Sequence, residues 1–190
     1  MRIDVPLAKC YRLLNHGPVS LVTTASGDRS NIMAASWVMP LDYDPPRVVL
    51  VVERTTLTRE LLEASGELVL NIPPRALADA TFAAGTTSGR DLDKWAELGL
   101  VPMPGRVVAA PLLDGCVAWL ECRVRPEPDI EQRYDLFIAD VVAASADDRV
   151  FVDGHWTFAA DELRTLHHVA GGQFYTTGSA LRGRDKPKRG

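Results

Sequence analysis

Apolar and β-branched residues recur along this chain in short bursts, each closed by turn-forming residues, which is the pattern of strands with few helices. Pro18–Thr24 is rich in β-branched residues, and Ser26-Gly27-Asp28 supplies a turn after it. Asn31–Trp37 is then placed to return as an antiparallel partner. Pro45-Pro46 introduces Arg47–Glu53, a nearly continuous apolar run that predicts a strand buried on both faces. Glu67–Ile72 reads as a further strand stopped by Pro73-Pro74. Val117–Arg125 alternates, with Ala118, Leu120, Cys122 and Val124 on one face and Trp119, Glu121, Arg123 and Arg125 on the other. Tyr134–Val142 and Arg149–Trp156 complete the predicted strands, the latter turning at Asp153-Gly154.

Helical spacing of Leu57, Leu61, Leu62 and Ala64 predicts a helix over Thr56–Ser65, closed by Gly66. Arg75–Phe82 and Leu92–Leu98 also read as helices, with Asp91 capping the second and Gly85–Arg90 between them as a loop. Strands without regular βαβ alternation favour an antiparallel barrel over a doubly wound sheet. The expectation is a mainly β single domain over residues 1–181, with one core and a basic, disordered tail over 182–190.

Charge and composition narrow the function classes. The 190 residues are 46% hydrophobic and 24% charged, ordinary for a globular chain. Net charge is −4, but the last nine residues carry five basic groups and one acidic one, which leaves the body at −8. An acidic body argues against a nucleic-acid-tracking surface. No apolar run approaches the roughly 20 residues of a membrane span, and the N-terminus lacks a signal peptide's apolar stretch, so a cytoplasmic location is expected. Cys10, Cys116 and Cys122 are odd in number and form no CxxC pair, which points away from a disulfide framework or zinc knuckle.

Phosphate-loop, dinucleotide, zinc-protease and nucleophile-elbow motifs are all missing. Adjacent His167 and His168 cannot both face one ion on a regular element, so no metal site is expected there with His155. Cys122 falls on an apolar strand face and reads as a core residue.

Three segments instead concentrate hydroxyls and amides beside a cation or aromatic at element boundaries: Asn31–Trp37, Glu53–Thr58 and Thr86–Lys94. In the second, Thr55, Thr56 and Thr58 sit at a helix start, where unpaired N–H groups favour an anion, with Arg54 adjacent. Arg59, not Glu or Gln, stands three residues after Thr56, so no capping box occupies those donors. Thr56 acting only as a helix cap accounts for that segment equally. In the first, small Ala34, Ala35 and Ser36 would admit a flat ring; a plain hairpin with Trp37 in the core is the alternative.

Taken in order, these motifs resemble the flavin reductase-like, FMN-binding split-barrel family, and its flavoredoxin-type branch in particular. The likeness runs through Pro18–Thr24, Asn31-x-Met33-x-x-Ser36-Trp37-x-x-Pro40, Pro45-Pro46, Arg54-x-Thr56-x-Thr58 and Glu67-x-Val69-x-Asn71-x-Pro73. It continues in Ser88-Gly-Arg-Asp-x-Asp-Lys94 and ends with His167-His168-Val-Ala-Gly171-Gly172-x-Phe174, covering about residues 15–178.

The resemblance implies a six-stranded antiparallel split β-barrel with Greek-key connections, a homodimer, and FMN held without a covalent bond near the subunit interface. It implies that Asn31, Ser36 and Trp37 meet the isoalloxazine and ribityl chain, and that Thr58 and Arg54 meet the phosphate end. It adds Lys94 as a phosphate or ribityl contact, Ser88 and Arg90 along that edge, and Phe174 beside the flavin. Tyr134 is the tenth residue placed at the cofactor: it stands where this branch often has His, keeping a ring and a donor that cannot become an imidazolium.

The activity implied is NAD(P)H:flavin oxidoreduction, with hydride passing from NADH or NADPH to FMN and electrons onward to a partner such as a monooxygenase. Catalytic side chains are not required for this, since the flavin carries the chemistry. A flavoredoxin-like electron carrier without direct NAD(P)H oxidation, and a cofactor-free split-barrel binding protein, are the alternatives.

Overall fold

The structure is a computed structural model and describes residues 1–183. In chain order its first half holds β1 (Arg2–Asp4), β2 (Ser20–Ser26), β3 (Arg29–Ala35), β4 (Val38–Tyr43), β5 (Pro46–Val51), α1 (Leu57–Ser65) and β6 (Glu67–Ile72). Then come α2 (Ala78–Thr86), α3 (Lys94–Glu97), β7 (Pro102–Met103), β8 (Leu112–Leu113), β9 (Ala118–Arg125), α4 (Pro128–Tyr134) and β10 (Leu136–Asp147). Two ribbons follow: β11 (Phe151–Val152) with β12 (His155–Trp156), and β13 (Leu166–Ala170) with β14 (Gln173–Thr176).

The main sheet is antiparallel and ordered β3-β2-β6-β9-β10-β5-β4, with β1 pairing to the far end of β10. β3 and β4 lie at opposite ends of this path, yet only Ser36 and Trp37 separate them in the chain. They form one interrupted strand that joins β2 at one end and β5 at the other. Counted once, it gives the six-stranded split barrel expected, with β1 as an addition; the split lies at Ser36-Trp37. β5 and β6, consecutive in the chain, flank the β9–β10 hairpin on opposite sides, a Greek-key crossing.

Side-chain alternation sorts the core onto the two faces of the sheet. Val22, Leu68, Leu70, Ala118, Leu120 and Cys122 join one cluster with Leu50 and Phe137. Leu21, Val69 and Trp119, their immediate neighbours in sequence, join a second with Leu112 and Leu113. Each fully buried leucine here contributes about 1.5–3 kcal/mol. The single core expected from the sequence is therefore divided by the sheet, because period-2 strands with both faces apolar bury both. All three cysteines are buried, and burial pushes the Cys10 thiol up to about 11.

Several boundaries differ from the sequence reading. Gly85 and Thr86, expected in a loop, belong to the end of α2. The Thr86 and Thr87 hydroxyls donate to the Phe82 and Ala83 carbonyls at 2.9 and 2.8 Å, which occupies carbonyls of the last turn. Helix α3 is shorter than expected and is capped by Asp93, whose Oδ1 accepts from Trp95 N at 2.9 Å, and not by Asp91. Tyr134 ends α4 instead of opening a strand: Pro128 starts that helix in its first turn, and Asp135 stops it at φ 54. The β13–β14 ribbon was not foreseen, since its residues are mostly exposed and carry no burial alternation. Of the basic tail, residues 184–190 lie outside the described residues.

Candidate functional site

A cavity of about 550 Å³ opens at the Ser36-Trp37 interruption. Its walls are the end of β3, the approach to α1 from Glu53 to Thr58, the end of α2 with the following loop, and Lys94. Trp37 stands at its edge and is 75% exposed, so the alternative of a core tryptophan is excluded.

The start of α1 forms one end. Thr56 caps the helix, its Oγ1 accepting from Arg59 N at 3.1 Å, and it also lines the cavity. The capping role and a place in the site, posed as alternatives by the sequence, are held by one residue. Asn31 on β3 donates from Nδ2 to the Thr58 hydroxyl at 2.8 Å, and both side chains are buried. The loop after α2 presses onto this pair. A Cβ on Gly89 would lie 2.1 Å from Asn31 Oδ1, so only glycine permits that approach.

Lys94 supplies the charge. It is 4% exposed, and its Nζ donates to the Ile32 and Ala84 carbonyls at 3.0 and 2.7 Å. An ammonium has three donors, so one remains for an acceptor in the cavity. Among the described residues no carboxylate lies within 4.0 Å of it. Burial pulls its pKa down to about 8. A buried cation with no carboxylate partner among the described residues, beside the N-terminus of α1, suits an anionic ligand end.

Six of the ten residues expected in the site line this one cavity: Asn31, Ser36, Trp37, Thr58, Ser88 and Lys94. Arg90 lines an adjoining groove and pairs with Glu60 at 2.7 Å, as does Arg29 from β3. Hydrogen bonds from those two guanidiniums hold the Glu60 carboxyl below its usual range. Phe174 lines a smaller neighbouring pocket and packs 5.4 Å from the His168 ring. Arg54 turns away from the cavity lining: its Nη2 meets Asp135 Oδ1 at 3.1 Å and donates to the Gln132 carbonyl at 2.7 Å. Tyr134, 61% exposed at the end of α4, is likewise absent from the lining. Both placements follow from α4, which the sequence reading did not contain and which offers the Arg54 guanidinium its acceptors.

Gly89, Thr86 and Thr87 line the cavity without having been singled out individually. Their segment stood out by composition, but the close contact that gives Gly89 its role joins residues far apart in sequence.

Similarity to other proteins agrees with this geometry. The family described as "Flavin reductase like domain" matches residues 12–167. Uncharacterized protein YddH of Escherichia coli (strain K12) is 45% identical over 182 residues, 94% of this chain and 96% of that protein. The crystal structure of an FMN-binding domain of a flavin reductases-like enzyme from Shewanella baltica OS155 is 42% identical, with a TM-score of 0.95 over 97% of this chain and 98% of its own. Flavoredoxin of Desulfovibrio vulgaris (Miyazaki F) is 27% identical, with a TM-score of 0.77 over 88% and 90% of the two chains. Sheet order, the split at Ser36-Trp37 and these matches lead to one conclusion: the chain belongs to the flavin reductase-like family.

Proposed function

We propose that this protein binds FMN in the cavity at Ser36-Trp37 and works as an NAD(P)H:flavin oxidoreductase. The observation that carries the reading is the buried Lys94 ammonium on the cavity wall, with a donor to spare and, among the described residues, no carboxylate beside it. A phosphate monoester is the complement of that end, together with the N-terminus of α1. Small residues Ala34, Ala35 and Gly85 leave room for a planar ring, and the Asn31–Thr58 pair fixes the polar edge.

Bound FMN would supply the redox chemistry, accepting a hydride from NADH or NADPH and passing electrons to an acceptor. The chain's own residues then anchor, orient and shield. Ser36, Trp37 and Ser88 complete the seat, with Arg90 and Phe174 at its margins. A homodimer goes with this reading. Met39 on β4 is exposed beside Trp37, along an open apolar surface shared with Val49 and Val51 of β5, and a surface of this kind suits burial against a second copy.

An absorption spectrum of the purified protein, followed by anaerobic addition of NADH or NADPH, tests the proposal. Flavin absorption that bleaches rapidly is the expected result. The likeness to a flavoredoxin favours a second reading, an electron carrier, whose flavin would bleach only with a reduced protein donor. Colourless protein that refuses added FMN would overturn both and leave a cofactor-free barrel.

A further inference from the structure

The β13–β14 ribbon is a two-stranded sheet of its own, and a chain of polar side chains holds its base to the barrel. His16, just after the 3₁₀ segment Leu7–Leu13, meets the Thr165 hydroxyl through Nε2 at 2.8 Å. The Thr165 and Thr177 hydroxyls bond to each other, and Thr177 meets His167 Nε2 at 3.2 Å. His167 Nδ1 ends the chain on the Gly17 carbonyl at 3.1 Å. A carbonyl only accepts, so this nitrogen carries the hydrogen, and Nε2 of the neutral ring accepts from Thr177. The remaining bonds take their direction from that end: Thr177 accepts from Thr165, and Thr165 accepts from His16 Nε2. His16 Nδ1 is left as a bare lone pair, buried and without a partner among the described residues.

Nothing around this chain would compensate a positive charge. The His16 and His167 rings lie 5.4 Å apart, and Trp156, whose ring is 5.3 Å from His16, commits its N–H to the Arg12 carbonyl. The other charged groups on the packed segments have partners elsewhere. Arg12 donates to the Gly154 carbonyl at 3.2 Å, and Arg164 donates to the Thr177 carbonyl at 2.8 Å and pairs with Asp161. His155 turns to the Asp153 carbonyl and His168 to that of Gly171. Among the described residues no carboxylate lies within 4.0 Å of His16 or His167. Further ties are few: Val19 N donates to the Leu166 carbonyl at 2.8 Å and Arg75 N to that of Arg164 at 2.7 Å, while residues 168–173 are exposed.

We propose that the two histidines form an acid-released latch: a proton on the His16–His167 pair lets the ribbon detach from the barrel while the barrel stays folded. The buried Nδ1 takes its proton in the opened form, and the imidazolium cannot return to a place with no acceptor, so acid populates that form. Burial first, and His167 second, bring the His16 pKa from 6.5 down to about 4 in the closed form. The latch is therefore intact above about pH 6.5 and weakens as pH falls toward 4. Opening removes one wall of the small pocket beside the cavity, to which the ribbon gives His168, Gly171 and Phe174.

Hydrogen–deuterium exchange of the full chain at pH 7.5 and pH 5, corrected for intrinsic chemical rates, tests the latch. Protection of the ribbon amides should fall about thirtyfold, the ratio that these two pKa values give over that interval. At both pH values it should stay at least about tenfold below that of β9 and β10, since the ribbon opens without the barrel. His16→Gln keeps a donor toward Thr165 and takes no proton, so it should cut the change to less than about threefold. The wild-type comparison decides by itself if that variant does not fold. Overturning results are ribbon protection that does not respond to pH, equal protection of ribbon and barrel, or the full change surviving in His16→Gln.

Discussion

Asn31 and Thr58, on β3 and in the first turn of α1, are joined by a 2.8 Å hydrogen bond at the cavity wall. The bond ties the barrel's broken strand to the helix whose N-terminus lines the cavity. Thr58→Val removes the acceptor and leaves the Asn31 amide unpaired in a buried place. A loss of about 1–3 kcal/mol in stability is expected, together with weaker FMN binding. Urea unfolding and a flavin fluorescence titration measure the two effects; unchanged values in both would remove the pair from the site.

Lys94 gives a mutational and a pH prediction. Lys94→Ala should weaken FMN by about 1.5–3 kcal/mol, the scale of a charge-assisted hydrogen bond. In the wild type, the ammonium is protonated below its pKa of about 8 and loses its charge as pH rises through that value. FMN affinity should therefore fall across this range in the wild type and stay flat in the alanine variant. Flavin titrations at pH values on either side of 8 check this.

Gly89→Ala sets a new Cβ 2.1 Å from Asn31 Oδ1 and 2.8 Å from its Cγ. Neither the buried amide nor the loop backbone can yield without breaking the Asn31–Thr58 bond. FMN affinity should drop by at least about tenfold, comparable to losing a full hydrogen bond at the site. Gly99→Ala is the comparison: φ there is +62, but no atom lies within 4 Å of the added Cβ. It should affect stability and not flavin binding.

His16 predicts an acid-sensitive step. Its Nε2 meets the Thr165 hydroxyl at 2.8 Å, its Nδ1 has no partner among the described residues, and the His167 ring lies 5.4 Å away. Burial first, and the neighbouring His167 second, bring its pKa down from 6.5 to about 4. The unfolded chain therefore binds this proton more readily. The contribution is complete above about pH 6.5 and is lost as pH falls toward 4, up to about 3 kcal/mol in all. Urea unfolding across this window should show a shallower slope for His16→Gln than for the wild type.

The exposed apolar surface beside Trp37 predicts the oligomer. Met39, 54% exposed and paired in register with Val49 of β5, would meet a second copy. Met39→Glu places a charge in that contact and should shift the sedimenting mass from two chains toward one. A wild-type protein that sediments as a single chain at all concentrations would remove the dimer.

Much of the barrel was legible because strands write their faces in alternate residues. Ala118, Leu120 and Cys122 entered one core cluster and Trp119 the other, as the alternation of Val117–Arg125 required. Helix α1 was legible for a similar reason: Leu57, Leu61 and Leu62 recur at its pitch, Thr56 caps it, and Gly66 ends it at φ 68. Helix α4 escaped, since its seven residues bury no side chain and so carry no periodic signal. With no signal for α4, neither the place of Tyr134 at its end nor the acceptors it offers Arg54 is legible in the sequence.

By itself, then, the sequence determined the strand faces, the turns and the three segments rich in hydroxyls, because each depends on neighbours within a few residues. Tertiary structure alone decided that Lys94 would meet the Ile32 and Ala84 carbonyls, that Gly89 would press on Asn31, and that Arg54 would turn to Asp135. Those contacts join positions distant in the chain, and a side chain with several partners within reach settles on one only when the backbone has folded around it.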